Sequence, residues 1–245
     1  MSTVDLTVEG GIAHIRLNRP ERLNAVAPVL VDDFLAALEQ VAHTDARVVL
    51  LAGNGRAFCA GHDLKEPTPE GDSRVRLERL QDVTRRLRAL PQPVIAAVHG
   101  YAIGAGAEFA LGCDLVLAAE DAVFAFPEVS LGLSVTGAAS RLLPLLVGPA
   151  KAKELLLLGD RFDGRRAHDL GLVNAAVPAD ELMPLALGWA EKIAHHPPEA
   201  ATMAKRALDA GIDLGSALEL EVSHALITEH SAAVRESTEA FRSRV

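Results

Sequence analysis

Two glutamates draw attention because each one interrupts an apolar segment. Glu108 lies in AGAEFALG, and Glu128 follows Pro127 in FAFPEVSLG. Burying a carboxylate is costly unless it is paired, hydrogen-bonded or used in chemistry. A structural ion pair or a solvated loop position would account for either glutamate alone. Taken together, they are candidates for a general acid and a general base.

Two glycine-containing segments could supply backbone donors to the same site. GNGRAFCAGHDLK and HGYAIGAGAE each follow an apolar run typical of a buried strand. Gly61 gives the backbone the freedom to aim the amide of His62 into a cleft, and Ala105 opens a helix whose first amides lack helical partners. If the loops follow neighbouring parallel strands, the two amides could form an oxyanion hole. An ordinary glycine loop and close helix–strand packing are the alternatives that these residues leave open.

The elements that must position these groups alternate between strands and helices. Apolar and polar residues alternate over 4–9, and Gly10-Gly11 then predicts a turn into a second strand over 12–17, which makes a β-hairpin. Further along, hydrophobic periodicity predicts a helix from about Pro28, strands at 48–51, 94–98 and 115–118, and helices at about 72–90 and 107–111. This order predicts an α/β fold of βαβ-type units around a largely parallel sheet.

The pattern changes after residue 149, where helices dominate. The predicted helices are 149–158, 163–170, 180–195, 198–210 and 215–242, with one short apolar run at 172–177. Asp163 stands at an N-cap position and Gly171 at a C-cap position. We therefore expect a β/α core over residues 1–175 and a helical C-terminal portion over residues 176–245.

Composition narrows the class of protein. The chain has 245 residues, of which 49% are hydrophobic and 4% aromatic, so the core must be built mainly from aliphatic residues. The formal net charge of -9 makes nucleic acid or an anionic membrane a poor partner. Cys59 and Cys113 show neither a disulfide framework nor metal-ligand spacing.

The N-terminus lacks the basic and then apolar pattern of a signal peptide. The most apolar region, 94–119, is interrupted by His99, Glu108 and Asp114 and by several glycines, which favours a buried strand–turn–helix–strand unit over a membrane span. We expect a cytoplasmic globular protein without a metal ion.

In their order and spacing, several segments resemble the crotonase superfamily of enoyl-CoA hydratases and isomerases. They are Asn24-Ala25-Val26, FCAGHDLKE, GYAIGAGAE, FPEVSLGL, LVGPAKAKELLLLGDRF, DLGLVN and PPEAATMAKRAL, and the resemblance extends from the first hairpin to about residue 241. It implies an α/β fold that is a crotonase-like spiral of repeated ββα units with a helical C-terminal portion. It also implies an acyl-CoA thioester as ligand, no cofactor beyond the coenzyme A of the substrate, and a homo-oligomer, either a trimer or a hexamer.

The resemblance assigns roles to individual residues. The amides of His62 and Ala105 match the oxyanion hole, and Glu108 and Glu128 match the two catalytic glutamates of hydratases. The expected contacts to coenzyme A or to the rest of the substrate are Arg22, Asn24, Ala25, Val26, Ala60, Gly61, Asp63, Leu64, Lys65 and Gly104. Isomerases commonly keep only the second glutamate, so the presence of both favours a hydratase that adds water syn to a 2-enoyl-CoA.

The chain departs from the family pattern near the site. Ala105 replaces the usual glycine, His62 stands where many members carry alanine, and SLGLSVTGAASRL lacks the proline–glycine of hydratases. The nearest alternative is a Δ3,Δ2-enoyl-CoA isomerase in which Glu108 is a bystander, and another is an acyl-CoA-binding protein without activity. A dinucleotide oxidoreductase is disfavoured because Phe109 occupies the last glycine position of G-x-G-x-x-G, and no G-x-S-x-G motif supports a serine hydrolase.

Overall fold

The chain alternates strands and helices in most of the places where hydrophobic periodicity predicts them. The computed structural model describes residues 2–63, 65 and 72–211. The strands are β1 (Val4–Glu9), β2 (Ile12–Leu17), β3 (Val48–Gly53), β4 (Val94–Val98), β5 (Tyr101–Ile103), β6 (Leu115–Ala119), β7 (Val123–Ala125), β8 (Phe162–Asp163) and β9 (Ala175–Val177). The helices are α1 (Pro28–Val41), α2 (Ser73–Ala89), α3 (Ala105–Leu111), α4 (Ala139–Val147), α5 (Pro149–Leu158), α6 (Gly164–Asp169), α7 (Ala179–Ala194) and α8 (Pro198–Asp209).

A six-stranded sheet forms the base of the fold. Its strands follow the order β1-β2-β3-β4-β6-β9, and every pair is parallel except the initial β1–β2 hairpin. All residues of β3 and β4 are buried, as expected for parallel strands that are covered on both faces. Helix α1 packs on β1 and β2, and α7 packs on β3, β4 and β6.

A second, smaller sheet has the order β5-β7-β8. Sequence periodicity did not reveal β5 or β7, because three-residue strands carry too little alternation to be recognised. In two successive units, one strand enters the large sheet, the next enters the small sheet, and a helix follows: β4–β5–α3 and β6–β7–α4. This repetition is the spiral of ββα units that the sequence resemblance implies.

Phenylalanine fills much of the core, although aliphatic residues outnumber it. Only seven phenylalanines occur in the chain, yet five are among the largest fully buried side chains: Phe34, Phe58, Phe109, Phe124 and Phe126. Phe109 follows Glu108 directly, and Phe126 precedes Glu128 by two positions. The two glutamates are therefore attached to segments that the core holds firmly.

Local capping signals set the ends of several helices. Asp163 caps α6 as predicted, since its carboxylate accepts a hydrogen bond from the Arg166 amide at 2.8 Å. Asp72 caps α2 in the same way, through the Arg74 amide at 2.7 Å. The predicted helices at 149–158, 180–195 and 198–210 correspond to α5, α7 and α8, whereas the helix predicted at 215–242 lies outside the described residues.

A buried lysine ties α8 to the sheet. Lys205 is 7% exposed, and its Nζ lies 2.8 Å from Oδ2 of Asp114, the residue directly before β6. The same Nζ donates to the carbonyl oxygens of Leu87 and Gln92, at 3.1 and 3.2 Å. Asp114 also accepts a hydrogen bond from the Val94 amide at 2.7 Å. A charge this deeply buried needs such a complete set of partners.

The division into residues 1–175 and 176–245 stays a prediction. Strand β9 spans this boundary and pairs with β6 within the large sheet. Residues 94–119 form β4, β5, α3 and the whole of β6, which confirms the strand–turn–helix–strand interpretation. Within the part of the chain that the structure describes, no helix combines the length and the apolar character needed to cross a membrane.

Candidate active site

The loop that carries His62 runs along the edge of β5. The Cys59 amide donates to the carbonyl oxygen of Tyr101 at 2.8 Å, and the Ile103 amide donates to the carbonyl oxygen of Cys59 at 3.1 Å. Gly61 has φ = +87°, and a Cβ atom there would lie 2.7 Å from the Ile103 carbonyl oxygen. Only glycine tolerates both this conformation and this contact. The loop is therefore pressed against the backbone that leads into α3.

Two backbone amides next to this contact are not used by the fold. Neither the amide of His62 nor that of Ala105 donates a backbone hydrogen bond among the described residues. Ala105, the first residue of α3, is only 2% exposed. A buried amide without an acceptor is uncommon in folded proteins. Both amides are therefore available to a ligand oxygen, whereas the His62 side chain itself is exposed.

Glu108 lies one turn into α3 and is 1% exposed. The backbone amide of Thr136 donates to its Oε1 at 2.5 Å, and the Thr136 hydroxyl lies 2.5 Å from its Oε2. Gly137 fits directly against the side chain, since a Cβ atom there would lie 2.6 Å from Cβ of Glu108. Burial raises the pKa of Glu108, the hydrogen bonds from Thr136 oppose this rise, and the charge of Glu128 adds to it.

Glu128 begins a 3₁₀ turn (Glu128–Leu131) immediately after Pro127, and it is 9% exposed. Its Oε2 is buried and has no hydrogen-bond partner among the described residues. Its Oε1 faces Gly104, where an added Cβ atom would lie 2.8 Å away. Burial raises the pKa of Glu128, and only its own backbone amide opposes this rise.

The two carboxyl groups flank the beginning of α3. Glu128 contacts Gly104, the residue that precedes this helix, and the Glu108 amide donates to the Gly104 carbonyl oxygen at 2.9 Å. The charge of Glu128 acts on Glu108, which requires the two to be near each other. Two neighbouring acids with raised pKa values, close to two unused amides, can move protons at a carbon beside a carbonyl group.

Arg22 and Asp63, both expected to bind coenzyme A, form a bidentate pair with each other. Arg22 donates to the two carboxylate oxygens of Asp63 at 3.0 and 2.8 Å, and Arg19 lies 3.3 Å from Oδ2. Desolvation opposes ionisation of Asp63. Hydrogen bonds from the Lys65 amide and from Arg22 outweigh it, together with the charges of Arg22 and Arg19. The pKa of Asp63 therefore lies below the ordinary value. Two arginines thus face one aspartate at this loop, and Lys65 is exposed beside it.

Asn24 holds the two loops of this region together. Its side chain is fully buried, accepts a hydrogen bond from the Arg19 amide at 2.8 Å, and donates to the carbonyl oxygens of Asn54 and Ala57 at 2.9 and 2.7 Å. Since these bonds engage both ends of the side-chain amide, any contact from Asn24 to a ligand must come from its backbone. Its expected role in binding stays a prediction.

The remaining expected binding residues lie on the same connected backbone. Ala25 and Val26 are buried, the Val26 amide donates to Gly61 at 2.7 Å, and the Ala60 amide donates to Leu23 at 3.0 Å. Leu64 lies outside the described residues. The structure thus brings the loops around residues 22–26, 59–63 and 104 together, while their roles toward coenzyme A stay predictions.

Sequence reasoning missed Thr136, which is the direct partner of Glu108. The only available signal was its place in SLGLSVTGAASRL, the stretch that departs from the hydratase pattern. Sequence periodicity cannot indicate that this loop folds back over α3. Within the described residues, no group of three or more His, Cys, Asp or Glu side chains is arranged to hold a metal ion.

Comparison with known proteins assigns the chain to a family. The model of the enoyl-CoA hydratase/isomerase family matches residues 7–244. The 1,2-epoxyphenylacetyl-CoA isomerase of Escherichia coli is 38% identical over 243 residues, which cover 96% of this chain and 93% of that protein. The mouse enoyl-CoA hydratase domain-containing protein 2, mitochondrial, is 38% identical over 221 residues, covering 86% of this chain and 75% of that protein.

Solved structures share the fold over almost the whole chain. The crystal structure of enoyl-CoA hydratase from Bacillus anthracis superimposes with a TM-score of 0.94 at 33% sequence identity, covering 99% of this chain and 96% of that one. The family match and the shared fold agree with each other. The chain belongs to the enoyl-CoA hydratase/isomerase family, within the crotonase superfamily.

Proposed function

We propose that this chain is an enoyl-CoA hydratase, which adds water syn across the double bond of a 2-enoyl-CoA to give a 3-hydroxyacyl-CoA. The observation that carries the proposal is the pairing of two buried glutamates, Glu108 and Glu128, at the start of α3. A reaction that needs a single carboxyl group has no use for the second, and leaving it buried is costly. The amides of His62 and Ala105 provide the complementary donors.

The steps follow from the chemistry of a conjugated thioester. The two amides donate to the thioester oxygen and stabilise the negative charge that develops there, an effect typically worth a few kcal/mol of the barrier. Glu108 accepts a proton from water as the water oxygen bonds to C3, and Glu128 gives its proton to C2. One water molecule is consumed and the double bond becomes a single bond. Because both carboxyl groups lie on one side of the acyl chain in this proposal, the addition is syn.

Hydrogen bonding gives the two acids different roles. Thr136 donates to Glu108, which favours its carboxylate form, whereas Oε2 of Glu128 receives no hydrogen bond from any described residue. Burial raises both pKa values, and the hydrogen bonds from Thr136 oppose this rise at Glu108, so a proton rests more easily on Glu128. Glu108 therefore serves as the base toward water and Glu128 as the acid toward C2.

A Δ3,Δ2-enoyl-CoA isomerase is the second candidate, and one observation favours it. Both oxygens of Glu108 already have a hydrogen-bond partner in Thr136. The carboxyl group of Glu128 is therefore the more available of the two for proton transfer. Here Glu128 would take a proton from C2 of a 3-enoyl-CoA and return it to C4. The charge would rest on the thioester oxygen between the two steps, held by the same two amides.

The deciding experiment compares wild type with Glu108→Gln on 2-enoyl- and 3-enoyl-CoA thioesters of varied acyl length. For the hydratase, the variant loses hydration by roughly 10²–10⁴-fold, as expected for removal of a positioned base. Nearly full activity in the variant would overturn the hydratase mechanism in favour of the isomerase. Glu199→Gln, which changes an exposed glutamate on α8, is the matched control. Coenzyme A binding by the wild type without turnover of any thioester would point to a binding protein instead.

We also propose a homo-oligomer, either a trimer or a hexamer. Large apolar side chains are exposed after Glu128 and at the end of α5: Val129, Leu131, Leu133, Leu157 and Leu158. A cluster of this kind marks a surface that needs a partner, and a second copy of the chain would cover it. Light scattering on the purified protein tests this, and a sharp monomer would overturn it. The expected cytoplasmic location is tested by cell fractionation.

A further inference from the structure

Thr136 is placed to control the chemical state of Glu108. The two residues are 28 positions apart, and both donors of Thr136 meet the same carboxyl group: the amide at Oε1 and the hydroxyl at Oε2, each at 2.5 Å. A carboxylate that accepts two hydrogen bonds in a buried site is favoured over its protonated form. The backbone amide can only donate, so Oε1 must act as an acceptor in this contact.

We propose that Thr136 is a positioning residue that holds Glu108 as an oriented carboxylate base, and that its hydroxyl also orients the attacking water. The inference rests on the proposed hydratase function. Each carboxylate oxygen has two acceptor positions, and Thr136 engages one on each oxygen, which leaves a second position for water. The hydroxyl oxygen keeps acceptor capacity while donating to Glu108, so one water molecule can contact both groups.

The loop around Thr136 is built to hold this contact. Gly137 has φ = +55° and lies so close that an added Cβ atom would be 2.6 Å from Cβ of Glu108. The Ala139 amide donates to the Thr136 carbonyl oxygen at 2.9 Å, which closes the turn before α4. The segment cannot move away from Glu108 without disturbing both this turn and the beginning of the helix.

Among the described residues, few other charged groups affect the protonation of Glu108. Glu128 is the charged group that acts on it, and its effect is to raise the Glu108 pKa. Helix α2 meets the end of α3 with Leu87, and α4 contributes buried Ala139 and Leu143, while Arg141 of α4 is exposed. Strand β5 carries Tyr101, which is exposed. Thr136 is thus the main neutral group that opposes protonation of Glu108.

The test uses Thr136→Val, which keeps the shape and the amide but removes the hydroxyl, and Thr136→Ser, which restores the hydroxyl. Ser134→Ala, at an exposed position in the same loop, is the matched control. We expect Thr136→Val to lower kcat for hydration by roughly 10- to 100-fold, the factor that one hydrogen bond to a charged group is worth. The acidic limb of its pH profile moves to higher pH, while Thr136→Ser and Ser134→Ala stay close to wild type.

Two further measurements separate the outcomes. Isomerisation of a 3-enoyl-CoA needs Glu128 but not Glu108, so a loss of hydration alone supports the proposal, whereas an equal loss of both reactions overturns it in favour of a merely structural role. The ionisation of Glu108 is followed directly by infrared difference spectroscopy with ¹³C-labelled glutamate, assigned by the band lost in Glu108→Gln. If Thr136→Val leaves this titration unchanged, the proposal fails. If the titration shifts but the wild type hydrates no 2-enoyl-CoA, the stabilisation of the Glu108 carboxylate by Thr136 is supported and the proposed function fails.

Discussion

Glu108 and Glu128 are the same residue type in similarly apolar surroundings, yet the fold treats them differently. Glu108 has a hydrogen-bond partner in Thr136 at each of its oxygens, whereas Oε2 of Glu128 is buried without one in the part of the chain that the structure describes. The donors favour the charged form of Glu108, and burial with no donor at Oε2 favours the protonated form of Glu128. A pair of identical side chains can thus be divided into a base and an acid by their neighbours alone.

In the proposed mechanism, the largest effect should come from replacing Glu128, whose Oε2 has no hydrogen-bond partner among the described residues. Glu128→Gln leaves the shape of the site intact but cannot release a proton, so both hydration and isomerisation should fall by roughly 10²–10⁴-fold. Steady-state kinetics on 2-enoyl- and 3-enoyl-CoA thioesters would measure this. Glu191→Gln, at an exposed position on α7, should behave as wild type. Retention of more than about a tenth of either activity would contradict the role of Glu128.

A third carboxylate, that of the half-buried Asp114, tests whether a carboxyl group with a charged partner has a structural role. Lys205→Met removes the cation whose Nζ lies 2.8 Å from the Asp114 carboxylate. The carboxylate left without its cation should lower the free energy of unfolding by about 3–5 kcal/mol. Urea denaturation measures this loss, and kcat of the folded variant should remain near the wild-type value. Lys192→Met, at an exposed position, should change stability little. A large loss of kcat with unchanged stability would instead give Asp114 a role in the reaction.

The contact between Gly137 and Glu108 can be disturbed while the carboxyl groups of Glu108 and Glu128 are both kept. Gly137→Ala introduces a Cβ atom 2.6 Å from Cβ of Glu108 and should displace it, with a loss of hydration of roughly 10²-fold, since a shift of about 1 Å can cost this much. Gly132→Ala is the matched control, because Gly132 also has positive φ but an added Cβ atom there meets nothing within 4 Å. Equal losses in the two variants would attribute the effect to backbone strain.

The smallest expected effect is on stability and depends on pH. Burial raises the pKa of Glu108 in the folded state, so the folded protein binds its proton more tightly than the unfolded chain does. The resulting stability is present below the unfolded pKa and is lost as pH rises through the folded pKa. Glutamine does not titrate, so Glu108→Gln should gain Tm relative to wild type as pH rises from acidic to neutral, by roughly 2–4 °C. Calorimetry across this pH range would check the trend, and a gain that is larger at low pH would contradict it.

The sequence determined the parts that depend on local pattern. The initial hairpin, the buried strands β3 and β4, and the N-cap of α6 at Asp163 follow from alternation, apolar runs and capping chemistry. The two glutamates were recognisable because an acid in an apolar segment conflicts with the cost of burial. Their resemblance to a known pattern then suggested an acyl-CoA thioester as the ligand.

Only the tertiary structure decided which groups meet. Thr136 reaches Glu108 across 28 positions, and Arg22 reaches Asp63 across 41. Asn24, for which the sequence predicts only a contact to a ligand, also holds two loops together through its buried side chain. Strands β5 and β7 are too short to have a periodicity of their own, and they exist because each is the other's hydrogen-bonding partner. Contacts between distant segments depend on the path of the chain, and no local pattern of residues encodes that path.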